Sequence, residues 1–320
     1  MRRDAKRRNI RELGIFIAFV ILMAIIAVVS RGNSINPRNL ILIVKQASIN
    51  GILSVGLTFV IISGGIDLSV GSILAVSGVV ASMFAHPGEY HLIIPILLAV
   101  GIGLALGCVN GLVVAFGRIP PFIVTLGMLT MGRGLALILS GGSPIYNLSK
   151  EFEALAGGFF PSATFAYRAP ILSVYYLVVV LVGAFLLTRT VFGRHVYAVG
   201  GNEMSARVSG IHVEAVKVSV YAISGILAGF AGLLLASRIV SGNPNSGTGY
   251  ELDAIAAVTI GGVSMSGGAG RWYGAVVGTL FIAVMGNGLD LLGMQSHLQL
   301  VIKGAIIVLA VLYDTHAKGK

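Results

Sequence analysis

Few side chains in this sequence are of a type and spacing that could do chemistry. Its six histidines are scattered, and none shows the spacing of a metal site. The single cysteine, Cys108, lies in an apolar run and can form no intrachain disulfide. The glycine clusters GNG and GGAG are not phosphate loops, because no Gly-Lys-Ser or Gly-Lys-Thr follows them. No nucleophile stands with a base, which argues against an intramembrane enzyme. The sequence predicts no catalytic residue, no metal and no cofactor site in this chain, so any energy from ATP has to come from another subunit. What remains is charge in apolar surroundings: Asp67, Arg133 and Lys303, and a cluster of Glu251, Asp253 and Asp290.

Asp67 sits in SGGIDLSVGS, 63–72, whose glycines and serines unwind or turn the backbone. Non-helical backbone at membrane depth is tolerated only inside protein or beside a watery cavity. Two readings stand for Asp67. It is a polar contact for a substrate or gate, or it caps the next helix by accepting amide protons from Ser69 or Val70. Asp67, Ser69 and Arg133 are the candidates for the pathway or gate. Arg133 lies about three turns into an apolar run, where ionisable residues usually face a bundle interior or cavity. Lys303 is nearer a span end, where a lysine can snorkel to the interface. Glu251 and Asp253 are expected near an outer face, either as docking charges for a basic partner or as solvated loop charges. A second glycine-rich break, GGVSMSGGAGR, covers 261–271. Broken helices in both halves of a chain point to a transport pathway, although the two breaks echo each other too weakly to make a repeat.

These residues must be positioned by membrane helices. The chain has 320 residues, of which 56% are hydrophobic and 11% charged, against about 25% charged in a soluble domain. It cannot present a water-compatible surface of ordinary size. The 44 glycines suit close helix packing in lipid. The fold class is all-α, a polytopic transmembrane bundle of about ten spans in one domain over 1–320. Apolar runs of about 20 residues cross the hydrocarbon core. They fall near 13–30, 40–63, 70–85, 92–116, 122–140, 171–187, 216–236, 252–264, 272–288 and 298–313. The eighth is short and broken by Gly261 and Gly262. The 141–169 segment is mixed and includes a short helix near 150–156. The N-terminal basic segment precedes an uncleaved first span.

A net charge of +10 bears on topology before it bears on nucleic acid, which is not an expected partner. With both termini inside, fourteen basic residues lie on the inner segments, six before the first span and four in 188–217. Five, Arg31, Arg38, Lys150, Arg168 and Arg238, lie outside. The bias places the termini in the cytoplasm.

The same assignment puts the one sizeable polar and basic stretch, 188–217, in the cytoplasm between two spans. Its centre predicts a two-turn helix over 203–209. Asn202 is the N-cap, and Glu203 sits in the first turn, where the helix dipole favours an anion. Arg207 is four residues on, in reach of Glu203, and Gly210 stands where a left-handed residue ends a helix. A helix so short needs a partner to pack on. It is a docking element, or a connecting loop with a fortuitous turn.

Over nearly its whole length the chain resembles the membrane permease of ribose-type sugar ABC importers. The stretches that carry the resemblance are GGIDLSVGS (64–72), FGRHVYAVGGNEMSARVSGI (192–211), GTGYELDAIAAVTIGGVSMSGGAGR (247–271) and NGLDLLG (287–293). In that family the cytoplasmic segment, related to the EAA loop, seats in a cleft of the ATPase subunit. The resemblance favours the docking reading of 202–211, with Glu203, Ala206 and Gly210 in the matching places. It also implies an ABC importer permease fold in a bacterial inner membrane, with a second permease copy, ATP-binding cassette modules that carry the ATP and Mg, and a periplasmic sugar-binding protein. Ribose is the expected sugar. The alternative is an autonomous secondary transporter coupled to protons or sodium. It would want a midplane carboxylate, for which Asp67 is the one candidate, and would leave the docking helix without a purpose.

Overall fold

The structure is a computed structural model that describes residues 2–160, 169–295 and 297–305. Its elements run α1 (Arg2–Val29), a 3-10 turn (Asn33–Ile35), α2 (Pro37–Ile62), α3 (Val70–Met83), α4 (Ile93–Phe116), α5 (Pro121–Leu139) and α6 (Lys150–Gly157). Then come β1 (Phe159–Phe160), paired antiparallel with β2 (Ala169–Pro170), and α7 (Ile171–Arg189), α8 (Val191–Gly201), α9 (Glu203–Val208), α10 (Val213–Ile239), α11 (Tyr250–Ile260) and α12 (Trp272–Leu291). A last helical stretch covers 297–305. Apart from the two-residue ladder, the described fold is helical.

Local chemistry sets several of these boundaries. Asn36 caps α2 by accepting from Arg38 N at 3.0 Å, with Pro37 at the first helical position, where its missing N–H costs nothing. Ser149 caps α6 by accepting from Phe152 N at 3.3 Å, which is the short helix expected near 150–156. The remainder of the 141–169 segment is described except for 161–168.

Among the described residues, six helices are long and apolar enough to cross a membrane: α2, α4, α5, α7, α10 and α12. About ten spans were expected, and each shortfall has a cause. The apolar part of α1, Phe16–Val29, and α3 are shorter apolar helices. α3 has 14 residues and α11 has 11, so they extend about 21 and 16 Å, against a hydrocarbon core of about 30 Å. The glycine-rich breaks beside them take the backbone out of helix, with positive φ at Gly64, Gly262, Gly267 and Gly268. The tenth predicted span, 298–313, extends past the last described residue.

The bundle is built on α10, which packs against α4, α3 and α2. Its approach to α4 is made by small residues. A methyl on Gly225 would lie 2.8 Å from Gly107 Cα, and one on Gly103 would lie 2.9 Å from Gly229 Cα. In lipid, where apolar transfer drives no helix pairing, such close backbone contact supplies the dispersion energy. α2 and α10 are largely buried, whereas α4, α5 and α7 keep large apolar side chains such as Leu97, Ile138 and Phe185 exposed.

Candidate functional site

The stretch read as a polar loop, 188–217, is three consecutive helices. Thr190 ends α7 and starts α8, its hydroxyl accepting from Gly193 N at 3.2 Å. Val196 and Val199 of α8 are buried, and its Phe192 stacks on Phe59 of α2 at 6.1 Å. Asn202 then caps α9, accepting from Ser205 N at 2.8 Å. The far end of α9 closes as a Schellman turn. Gly210, at φ 81°, donates to Arg207 O at 3.0 Å, and Ile211 donates to Ala206 O at 3.1 Å while packing into the core. The left-handed residue has to be a glycine or pay about 1–2 kcal/mol. The cap, the first-turn anion and the terminal glycine set the ends of α9, and Ala206 and Ile211 seat it on the bundle.

Charge then ties α9 to α10. Arg207 lies 3.5 Å from Glu203, the expected pair, but it makes a shorter contact of 2.7 Å with Glu214. The hydrogen bond that Arg207 donates to the Glu214 carboxylate holds the guanidinium pKa above its ordinary value. Lys217 donates to Glu203 at 2.7 Å. The four charges form one exposed network across the turn. Ala206 faces inward and is buried, while Met204 and Val208 on the outer side are 69% and 83% exposed. Two bare apolar side chains four residues apart on a charged helix form a patch that nothing among the described residues covers. The spacing of Met204 and Val208 was available in the sequence, but only the burial of Ala206 shows which way they face.

Behind α9, the two glycine-rich breaks meet. Gly268 N donates to the Ile62 carbonyl at 2.8 Å, and Tyr197 Oη of α8 donates to Gly270 O at 2.8 Å. A methyl on Gly267 would lie 2.9 Å from Gly64 Cα. A methyl on Gly200, near the end of α8, would lie 2.7 Å from Gly268 N and 2.9 Å from the Ile62 carbonyl carbon, and closer still to the Ile62 oxygen. The end of α2, the end of α8 and the 261–271 turn are therefore in backbone contact. They form one wall of a cleft of about 910 Å³ whose rim carries Arg118, Glu203, Arg207 and Lys217.

Asp67 lies deeper and is fully buried. Its Oδ1 accepts from Ser69 N at 2.9 Å and Ser69 Oγ at 2.6 Å, and its Oδ2 accepts from Ser224 Oγ of α10 at 2.8 Å. Asn110 of α4 donates to Ser69 Oγ at 2.8 Å, and Tyr221 of α10 donates to Ile66 O at 2.9 Å. The cap from Ser69 is present, and a bond across the bundle that the spacing did not foretell is added to it. Both carboxylate oxygens are committed to protein donors.

Arg133 is apart from this network. Its guanidinium donates to the carbonyls of Pro244 and Ser246, at 2.9 Å for Ser246, and so secures the loop before α11. Glu251 and Asp253 open α11 but have different neighbours. Glu251 accepts from Gly249 N at 3.2 Å beside α3, and Asp253 accepts from Lys303 at 2.8 Å. Lys303 is thus held by an ion pair. Among the described residues no group of three or more His, Cys, Asp or Glu could hold a metal.

The site is thus a six-residue capped helix with a bare apolar patch beside a cleft in a bundle of long apolar helices. The chain matches the family described as "Branched-chain amino acid transport system / permease component" over residues 39–311, and it belongs to that family. It is 42% identical over 299 residues to the "Ribose import permease protein RbsC" of Escherichia coli (strain K12), covering 93% of this chain and 92% of that protein. It is 41% identical over 306 residues to the protein of the same name from Bacillus subtilis (strain 168), covering 95% and 92%. The "Xylose transport system permease protein XylH" of Haemophilus influenzae (strain ATCC 51907 / DSM 11121 / KW20 / Rd) is 35% identical over 370 residues, covering 98% and 99%. No solved structure matches.

Proposed function

We propose that this chain is the membrane permease of an ATP-binding cassette importer for a monosaccharide, ribose in the first instance. It would sit in a bacterial inner membrane with both termini cytoplasmic and about ten passes, counting α1, the two short helices α3 and α11 and the expected span 298–313 with the six long helices. Its partners would be a second copy of itself, an ATPase that binds the ATP and Mg, and a periplasmic sugar-binding protein. Glu251, Asp253 and the loops around them are the proposed periplasmic docking region. The similarity to ribose import permeases over more than nine-tenths of the chain supports the substrate class.

The observation that carries the coupling role is α9. Met204 and Val208 stand out from a helix whose cap, Schellman turn and ion pairs keep it folded without a partner. An ATPase cleft that covered them would remove apolar surface from water and grip the helix, and the junction behind α9 would pass its displacement to α2 and to 261–271. The ion-coupled alternative is disfavoured by Asp67, whose oxygens are already taken by Ser69 and Ser224. Replacing Met204 and Val208 together by serine tests the role. Both are exposed, so folding should change by no more than about 0.5 kcal/mol. The ATPase retained on tagged permease should fall at least about tenfold, the equivalent of 1.4 kcal/mol. Full retention would remove α9 from the coupling role.

A further inference from the structure

We infer that a polar cavity on the Asp290 side of the bundle is a sugar-binding vestibule built within a single permease chain; the inference rests on the monosaccharide-importer reading above. The cavity is separate from Asp67, from Arg133 and from the α9 cleft. It lies between α2, α11, α12, the end of α10 and the 297–305 helix, and its volume is about 240 Å³. Asp290 and Thr279 both line it and are eleven positions apart on α12, about 16 Å along the axis. On α2, Asn50 lies thirteen positions from Pro37, about 20 Å in. The cavity therefore reaches from one end of the helices to mid-bundle. With cytoplasmic termini, its mouth is periplasmic.

Its lining fits a neutral polyhydroxyl molecule better than an ion. Two cations, Arg238 and Lys303, are matched by two carboxylates, Asp253 and Asp290, so the walls carry no net charge to attract or retain an ion. The charges are also engaged with partners. Asp253 accepts from Lys303 at 2.8 Å, and Asp290 accepts from Gln299 Nε2 at 2.8 Å. The Lys303 and Asp253 side chains are only 24% and 14% exposed, so the pair is held largely out of solvent.

At the deep end the situation reverses. Asn50 Oδ1 is buried and, among the described residues, has no hydrogen-bond partner. That oxygen has no surface open to the cavity, but the Gln46 and Asn50 side chains both line its wall, and their amides can hydrogen-bond an entering hydroxyl, Oδ1 itself only after the Asn50 side chain turns. A monosaccharide brings several hydroxyls that both donate and accept. It can satisfy carboxylate, amide and ammonium groups in one pose, and 240 Å³ is ample for one such molecule. An apolar ligand would offer the polar lining of Gln46, Asn50 and Thr279 no hydrogen bond in exchange for the water it displaced.

The absence of any cysteine but Cys108 makes a direct test simple. In a Cys108→Ser background, Ala283→Cys places a thiol of nearly native size on the cavity wall, and Asn50→Cys places one at its deep end. Each permease is assembled with its ATPase and binding protein in proteoliposomes. It is labelled with a small maleimide, alone or with D-ribose, D-xylose or D-allose, using betaine as the osmotic control. A ligand at ten times its dissociation constant leaves about one site in eleven free, so labelling at both positions should slow about tenfold. A thiol placed at Tyr90, in the exposed loop between α3 and α4, should label at the same rate throughout. Thiols at 50 and 283 that cannot be labelled would show that no open cavity exists. Labelling that is equally fast with and without each sugar would show that the cavity is not a sugar site. ATP-dependent uptake of the same sugars by the Cys108→Ser complex is measured in parallel. If uptake proceeds without protection, the vestibule falls and the importer stands; if no sugar is taken up, the importer reading itself falls.

Discussion

Replacing Gly200 by alanine probes the junction between α8, α2 and the 261–271 turn with a single methyl. That methyl would lie 2.7 Å from Gly268 N and 2.9 Å from the Ile62 carbonyl carbon, whereas non-bonded carbon contacts settle near 3.5–4.0 Å. The closest approach is to the Ile62 oxygen, so the backbones have to part by more than about 1 Å, and no flexible side-chain tip is present to absorb the shift. Parting them lengthens the bond from Gly268 N to Ile62 O, which is 2.8 Å in the native chain. Overpacking of this kind costs about 1–3 kcal/mol. The long helices should still insert, because their apolar stretches are untouched. The purified variant should melt a few degrees lower, about 2–4 °C per kcal/mol, and its binding-protein-stimulated ATP hydrolysis should fall about tenfold or more. Gly201→Ala is the control: a methyl there meets nothing within 4 Å, so both readouts should match the parent. A Gly200→Ala permease with native melting and native stimulation would show that the junction does not transmit coupling.

Three further outcomes follow from the same contacts. Asp67→Ala leaves the Ser69 amide and hydroxyl and the Ser224 hydroxyl without their acceptor, at about 1–3 kcal/mol each in a buried setting, and should destabilise the permease. Asp67→Asn keeps an oxygen for Ser69 and offers Ser224 an N–H, so uptake should persist in purified transporter; loss of uptake with native stability would give Asp67 a charge-dependent role in transport. Gly210→Asp should insert normally, because a side chain there meets nothing within 4 Å, yet abolish uptake by distorting the left-handed turn and projecting from the docking face. Normal uptake with the ATPase attached would contradict that. A reporter active only in the periplasm, fused after Lys320, should be silent, and activity there would overturn the orientation.

Much of α9 was legible in the sequence because its determinants are local. Asn202, Glu203 and Gly210 act within one or two turns, and the structure places the cap, the first-turn anion and the left-handed residue where the spacing predicts. The ion pairs to Glu214 and Lys217 were not legible, because they depend on the angle at which α10 leaves the turn. The sequence reading of 188–217 predicts only the helix at its centre and not α8, in which Gly193 and Gly200 are where other backbones touch it. Asp67 as a cap could be read from Ser69 two residues away, whereas its bond to Ser224 spans 157 positions. The meeting of the two glycine-rich breaks, more than 190 residues apart, left no trace in spacing. Nor did the pairing of Asp253 with Lys303, which are 50 positions apart, although both are expected near the outer face. Six of the expected spans are long, apolar helices among the described residues, whereas apolar composition continues through α3 and α11 with glycine-rich breaks beside them that shorten the helices.

The central claim is that this chain is a passive sugar pathway driven by a separate ATPase. Uptake of radiolabelled D-ribose into proteoliposomes containing the wild-type permease tests it directly. Accumulation should require ATP, the ATPase subunit and the sugar-loaded binding protein together, and should vanish when any one is omitted. Ribose accumulation by the permease alone, driven by a proton or sodium gradient, would contradict the account.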